Sequence, residues 1–304
     1  MLSVCIPVYR YDVRPLAREL LRQVTAHGLA AEVMVYDDAS PTDEDWGQKE
    51  LRRLPGLTYV QLPANLGRAG IRNRMATDAR FDHLVLLDAD GGVAPDYLPR
   101  YVAALTGYLA RSKVVGRPVE LVITGGRTYA PAPPADPALR LHWWYGTRRE
   151  SRSLIRREAA GWLGFQSNNF LATRSLLLAH PFPTDHVGYG HEDTLWGQRF
   201  IGTDVHLYHL DNPVVHLGLE AAAVFLAKQR EAVGNLRRLR ERHRHLRTRL
   251  TDLTEHYPTL IRLARAAPAS VLVRYLSARS RPSLYALDLL KLKWWLTPPA
   301  TGHR

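Results

Sequence analysis

Residues 83–92 read HLVLLDADGG: an apolar run, two aspartates separated by one alanine, then paired glycines. The run has the length and the Val/Leu content of a strand buried on both faces. Side chains alternate along an extended chain, so the i, i+2 spacing turns Asp88 and Asp90 the same way, with Ala89 opposite. Two carboxylates at a strand end put hard oxygen donors at one rim of a sheet, which suits Mg²⁺ or Mn²⁺ bridging a diphosphate. Asp and Gly also punctuate ordinary turns, so D-x-D alone leaves open whether this is a site or only a strand end.

Outward from this strand, Leu2–Val8, Glu32–Tyr36, Leu57–Gln61 and Glu120–Ile123 read as further buried strands. Helical periods lie between them. Pro15–His27 puts Leu16, Leu20, Leu21 and Val24 on one stripe closed by Gly28, and Gly67–Ala79 and Pro95–Leu109 follow. Strand and helix in alternation predict an α/β domain with a mostly parallel sheet flanked by helices, its ligands at the carboxyl ends of the strands. From Gly125 to Arg157 the pattern breaks into PAPPADPA and an aromatic cluster, His142-Trp143-Trp144-Tyr145, which reads as a long functional or mobile loop. Short strands return around Val205–Leu207 and Pro213–His216. From Leu219 to Leu253 one helical stripe carries Phe225, Val233, Leu236, Leu239, Leu246, Leu250 and Leu253.

The 304 residues, 46% hydrophobic and 23% charged, are enough for a sizeable core and exclude a disordered chain. A lone cysteine, Cys5, cannot form an internal disulfide, and MLSVCIPVYR runs directly into a strand pattern, so secretion is not expected. No apolar stretch approaches the roughly 18 residues of a membrane span. The net charge of +12 is unevenly held: residues 1–218 carry +1 and residues 219–304 carry +11. This divides the chain into a near-neutral catalytic part, 1–218, with halves at about 1–124 and 125–218, and a basic helical part, 219–304, that attaches to something anionic.

Other strand ends add chemistry to the same rim. The first ends in Ile6-Pro7-Val8-Tyr9 and the second in Tyr36-Asp37-Asp38-Ala39-Ser40, while Asn65-Leu66-Gly67-Arg68-Ala69-Gly70-Ile71-Arg72-Asn73 enters a helix whose start can hold an anion. An aromatic face, carboxylates, arginines and a metal site in one crevice meet the needs of a nucleoside diphosphate.

The succession CIPVYR, YDDAS, NLGRAGIRN and LLDAD resembles the nucleotide-binding half of a family-2 glycosyltransferase with the Rossmann-like fold called GT-A, the likeness extending over residues 1 to about 218. The resemblance implies a metal-dependent enzyme (Mn²⁺ or Mg²⁺) whose first half, with Pro7 and Ala89 in its lining, binds a nucleotide-sugar, usually UDP-linked. It puts Tyr9 against the nucleobase and Asp38 on the base N–H with Asp37 beside it. Arg72 and Arg68 fall next to base and phosphates, Asp88 on the ribose side, and Asp90 on the metal. Arg10 stands where Asn is common and Ile71 where Ala is common. Gly188-Tyr189-Gly190-His191-Glu192-Asp193 resembles the G-G-E-D motif of inverting enzymes, which makes Asp193 the general base on the acceptor hydroxyl and Glu192 the residue that orients the acceptor. His216 matches a metal-binding histidine, with His206 and His209 as alternatives. Asn168 and Asn169 are expected to line the acceptor side.

Trp143 and Trp144 offer indole faces to an acceptor sugar, although packing is the commoner use of such residues. Arg237, Arg238, Arg240, Arg242, Arg244, Arg247 and Arg249 read as sharing the leucine-striped helix, and Ser283–Leu296 has the composition of an interfacial helix. Together they predict a cytoplasmic protein peripheral to the inner face of the membrane, serving a glycan or lipid-linked acceptor of cell-surface polysaccharide synthesis. Two other readings remain. A nucleic-acid binder would use the same arginines, but there is no recognised module and the acidic strand ends would repel phosphates, so no nucleic acid is expected. A sugar nucleotidyltransferase would share the carboxylate-bound metal but does not call for the E-D motif.

Overall fold

The computed structural model describes residues 1–115, 120–184 and 188–297. Residues 298–304, the end of the basic region delimited above, lie outside the described residues. Among the described residues ten strands are formed: β1 (Leu2–Val8), β2 (Ala31–Asp37), β3 (Leu57–Gln61), β4 (His83–Leu87), β5 (Gly91–Gly92), β6 (Leu121–Thr124), β7 (Arg127–Thr128), β8 (Asn169–Thr173), β9 (His206–His209) and β10 (Val214–His216). Seven of them make a sheet in the order β3-β2-β1-β4-β8-β6-β9. Only β8 runs against its neighbours, so β1, β2, β3, β4, β6 and β9 end at one rim.

Burial on both faces explains the unbroken apolar runs. Val85 and Leu87 join Val4, Ile6, Val33 and Val35 on the side of the helices Arg14–Ala26 and Tyr97–Val115, in one core cluster. Leu84 and Leu86 join Cys5, Met34, Ile71, Met75, Phe170 and Trp196 on the side of the helix Gly67–Asp78. Each such side chain contributes about 1.5–3 kcal/mol on burial, so the register of β4 is strongly specified. At its end the chain turns through Gly91, whose N–H donates to the Asp88 carbonyl (3.0 Å).

The second sheet is small but places the site. In it β10 lies between β5 and β7, pairing His216 with Gly91 and Val214 with Arg127. A histidine and an arginine far apart in sequence thereby come to the end of β4.

The chain forms two compact units. One comprises Met1–Thr128, Arg152–Thr184 and Trp196–Gly218 and contains both sheets. The other comprises Tyr129–Ser151 with the described residues of Asp185–Leu195 and Leu219–Arg304, and is helical.

Three expectations change. The stretch from Gly125 to Arg157 is not one long loop. It contains the helix Arg140–Tyr145, a π-helical turn over Gly146–Glu150 and the start of the helix Leu154–Ala160. Gly146 allows this turn because any Cβ there would stand 2.1 Å from the Tyr129 ring. The leucine stripe is divided between two helices, Ala222–Arg242 and Arg249–His256. His243 closes the first, and Thr248 opens the second by accepting the Thr251 N–H in a capping box, so Arg244 and Arg247 belong to the connection. Finally, Leu284–Leu296 is a core helix rather than a surface one: Leu287, Leu290 and Leu292 are buried and Trp294 and Trp295 pack into the same clusters.

Candidate active site

At the rim of the seven-stranded sheet, Tyr9 follows β1 and stays about half exposed, with the Arg10 guanidinium 5.4 Å above its ring. Pro7 lies within β1, paired to Tyr36. Asp37 and Asp38 end β2 and are both buried. The Asp37 carboxylate accepts the Ser40 N–H (2.8 Å) and the Tyr59 hydroxyl (2.8 Å), an internal role that ties the turn to β3. Asp38 accepts the N–H groups of Leu66 (2.6 Å) and Gly67 (2.9 Å), so it caps the helix Gly67–Asp78 from outside the chain segment. Burial raises the Asp38 carboxyl above its ordinary value, against the lowering effect of those two backbone bonds. A carboxylate has about four lone-pair sites, so two occupied ones leave room for a further donor.

The helix that Asp38 caps delivers two arginines. Arg72 is buried and its Nη2 meets Asp88 Oδ1 at 2.8 Å, while Arg68 is exposed. Arg127, which sequence reasoning missed, approaches the other oxygen of Asp88 at 3.7 Å. Its signal was legible as Gly125-Gly126-Arg127 directly after β6. Both glycines are required: a Cβ on Gly125 would lie 2.5 Å from Asn169 Nδ2, and Gly126 has φ +87° with Arg157 2.9 Å from its would-be Cβ.

The structure brings Asp90 and His216 together, with Nδ1 of His216 3.4 Å from Asp90 Oδ2. The pairing of β10 with β5 explains this, and His206 and His209 stand instead on β9 at the far margin of the large sheet. Burial works to raise the Asp90 carboxyl. The hydrogen bond and charge of His216, with the charges of Arg127 and Arg68, outweigh it and hold the group below its usual range. Tyr11 is a second missed neighbour: burial and then the Asp90 charge push its phenol up.

The pair fits a divalent cation. Two donors about 2.1 Å from one octahedral ion stand roughly 3.0 Å apart, close to the separation found. Gly218 keeps the oxygen side open, since a Cβ there would fall 2.4 Å from Asp90 Oδ2. Asp90 and His216 could supply two ligands; among the described residues no third His, Cys, Asp or Glu completes a cluster with them.

Asn168 and Asn169 precede and begin β8, and the structure separates their roles. Asn169 is fully buried: its Oδ1 accepts from the hydroxyls of Tyr97 and Tyr101 (2.8 Å each), and its Nδ2 donates to the carbonyls of Gly126 and Asn212 (2.9 Å each). It is therefore a structural hub with no capacity left for an acceptor. Asn168 is also buried, and its carbonyl accepts the Asp88 N–H (3.0 Å), while its side-chain amide has no hydrogen-bond partner among the described residues.

In the helical unit, Glu192 and Asp193 open the helix Glu192–Gln198; Glu192 is buried, and Asp193 Oδ1 accepts the Thr194 N–H at 2.7 Å. The preceding Gly188 and Gly190 have φ near +98° and wrap this unit's own helix Ala222–Arg242, where Glu231 accepts the Tyr189 N–H (2.8 Å) and Asn235 donates to the Tyr189 carbonyl (2.8 Å). Trp143 does not offer a face to a sugar: it is 6% exposed, and its indole N–H donates to the Ala130 carbonyl (2.8 Å). Trp144 is flanked by Arg148 (4.3 Å) and Arg281 (5.8 Å), with its N–H on the Pro282 carbonyl (3.0 Å). Both indoles hold the helical unit together.

The fold is shared with known proteins. The chain is similar over 97% of its length to a mannosyltransferase from Pyrobaculum calidifontis solved with GDP-Man and Mn²⁺, at 16% identity, a TM-score of 0.55 and 85% coverage of that protein. TarS of S. aureus, residues 1–349, matches at 16% identity and a TM-score of 0.47, over 96% of this chain and 90% of that one. Glucosyl-3-phosphoglycerate synthase from Mycobacterium tuberculosis matches at 17% identity and a TM-score of 0.48, over 78% of each chain. The family model described as glycosyl transferase family 2 matches residues 3–161, from β1 through the strand ends described above and on past Arg127, so the chain belongs to the family-2 glycosyltransferases and is an enzyme.

Proposed function

We propose that the enzyme is an inverting hexosyltransferase that moves a sugar from a nucleoside diphosphate, UDP in the first instance, to a hydroxyl of a glycan or lipid-linked acceptor in cell-surface polysaccharide synthesis. The observation that carries this reading is the Asp90–His216 pair, flanked by Arg127 and Arg68 at a rim that also holds Tyr9, Asp38 and Asp88.

Tyr9 stacks on the base and Asp38, already fixed by two N–H groups, accepts the base N–H. Asp88, held by Arg72, takes the ribose hydroxyls. Asp90 and His216 hold a divalent ion, Mn²⁺ or Mg²⁺, which supplies positive charge to the departing diphosphate. Arg127 and Arg68 add to that stabilisation. Asp193 removes the acceptor proton as the acceptor oxygen attacks the sugar C1, and Glu192 orients the acceptor; a single displacement inverts C1. The Mn²⁺ and GDP-Man complex of the Pyrobaculum enzyme supports a metal-bound donor and makes GDP the alternative nucleotide to test. The charge of residues 219–304 supports attachment to the inner face of a membrane. No helix among the described residues is long and apolar enough to cross one.

Isothermal titration of UDP and GDP, with and without Mn²⁺, tests this. Metal-dependent binding of one nucleotide, lost in Asp90→Ala and weakened at least tenfold in His216→Ala, is the expected result. Binding indifferent to the metal and to both substitutions would overturn the site.

A further inference from the structure

Two sets among the arginines of the helical unit stand in contrast. Those around the helix Arg249–His256 are neutralised from within: Arg240 pairs with Glu255 (2.8 Å), Arg247 with Asp252 (3.6 Å), and Arg149 and Arg249 with Asp288 (3.0 and 2.8 Å). The second group is different. Residues 256–287 contain no aspartate or glutamate but hold Arg262, Arg265, Arg274, Arg279 and Arg281. All five are exposed, and among the described residues none pairs with a carboxylate. Arg279 and Arg281 lean on the rings of Tyr275 and Trp144.

The same stretch exposes apolar side chains. Among the described residues of the helical unit five large hydrophobic side chains are exposed, and four of them lie here: Tyr257 (51%), Leu263 (58%), Val271 (53%) and Tyr285 (76%). The helices Pro258–Ala266 and Ala269–Ala278 both pack on Leu284–Leu296 through their other sides, where Ala264 and Leu276 are buried. Their outward sides therefore present Leu263 and Val271 among guanidinium groups that meet no carboxylate, with Tyr257 just before the first helix and Tyr285 in the first turn of Leu284–Leu296. Lone exposed apolar residues need no explanation, but acid-free sequence, unpaired cations and apolar residues at the same positions are what an interfacial surface combines.

We infer that the outward sides of Pro258–Ala266 and Ala269–Ala278 form the membrane-docking face of this enzyme, and that the partner is the surface of a bilayer rich in anionic phospholipid. The arginines meet the headgroup phosphates, and Leu263, Val271 and the two tyrosines enter the boundary with the acyl chains. Charge complementarity selects this partner, because the face carries cations and no carboxylate. This moves attachment away from the arginines of Ala222–Arg242 and from the buried leucines of Leu284–Leu296. The inference deepens the membrane part of the proposed function and is independent of the donor site.

Sedimentation of the full chain with vesicles tests it, using phosphatidylcholine alone and phosphatidylcholine with one part in four phosphatidylglycerol. Arg262→Gln/Arg265→Gln/Arg274→Gln should weaken anionic-vesicle binding on the order of a hundredfold, since each arginine near such a surface is worth roughly fivefold. Leu263→Ser/Val271→Ser should abolish the part of the binding that survives 0.5 M salt. The equal charge change Arg230→Gln/Arg237→Gln/Arg244→Gln should leave binding within about twofold. Equal losses in the two arginine triples would mean diffuse attraction and overturn the face. Binding no stronger to anionic than to neutral vesicles, or stronger to duplex DNA than to anionic vesicles, would overturn the partner. Nucleotide titration on the same variants should be unchanged, so failure here is distinct from failure of the donor site.

Discussion

Asn169→Ala should destabilise the sheet-bearing unit more than any removal of one hydrogen bond. The side chain is fully buried and makes four hydrogen bonds of 2.8–2.9 Å, two received from tyrosine hydroxyls and two given to carbonyls. Alanine leaves two O–H groups and two carbonyls without that partner in a site water cannot reach freely. At about 1 kcal/mol for each, the loss is about 4 kcal/mol. A unit of this size shifts by roughly 2–4 °C per kcal/mol, so Tm should fall by about 8–16 °C. Tyr101→Phe removes one of the four and should lose only about 1 kcal/mol. The Gly126 carbonyl is one of the acceptors, so the turn that presents Arg127 to Asp88 loosens as well, and nucleotide binding should weaken in Asn169→Ala at temperatures where the protein is still folded. Urea unfolding followed by circular dichroism measures the stability term. A loss no larger than that of Tyr101→Phe would refute the assignment of Asn169 as a hub.

Two more outcomes follow from the same geometry. Burial, then the charge of Arg157, lowers the His209 pKa to about 4, so below the ordinary value near 6.5 the unfolded chain takes up a proton that the folded chain refuses. Stability should then decline as pH falls from about 6.5 towards 4, by on the order of 2 kcal/mol between pH 7 and pH 5; His209→Gln should remove that part of the slope, and parallel urea-stability profiles for the two proteins would sink the account. Arg10 has φ +49° and stacks over Tyr9, and asparagine tolerates that backbone better. Arg10→Asn should raise stability by up to about 1 kcal/mol while weakening nucleotide binding severalfold in titration, and a gain in both would show that the guanidinium does not serve the base.

The strands were readable because their cause is local. A strand buried on both faces must be apolar throughout, and Leu2–Val8 is formed with the bounds its composition predicts; the half-exposed edge strand Leu57–Gln61 also keeps its expected bounds, through β-branched and aromatic residues rather than burial. The D-x-D pair was readable as a strand end, but alternation does not set its direction: β4 stops at Leu87, and Asp88 to Gly91 form a turn closed by the Gly91 N–H on the Asp88 carbonyl. What failed depended on partners distant in sequence. Composition cannot tell an indole that meets a sugar from one whose N–H bonds Ala130, and so Trp143 was misread. Asn169 was read as lining the acceptor side, because nothing local in the sequence shows that Tyr97, Tyr101 and Asn212 close around it. The break after Arg242 was overlooked because the leucine spacing continues through it, whereas Thr248 and Thr251 form a capping box that ends the helix period. Arg127 was missed because its meaning depends on β10, which pairs beside it from residue 214 onward.

Backbone strain supplies a warrant for the site that owes nothing to motif or likeness. Among the described residues only three that are not glycine have positive φ: Arg10 (+49°), Ala39 (+62°) and His191 (+74°). Each conformation costs on the order of 1 kcal/mol or more, and a turn with no other duty would relieve it with glycine or asparagine. All three are instead adjacent to a residue with an assigned role: Arg10 follows Tyr9, Ala39 follows Asp38, and His191 precedes Glu192. The first two are also joined, since the Arg10 N–H donates to Ser40 Oγ (2.8 Å) and the Asp38 N–H to the Val8 carbonyl (2.8 Å). The ends of β1 and β2 are thus over-determined by bonds that hold the strained turns in place. That rigidity fixes the backbone at Tyr9 and Asp38 in the folded chain, so in the proposed donor site part of the ordering cost of binding a base would be met during folding rather than at the moment of binding.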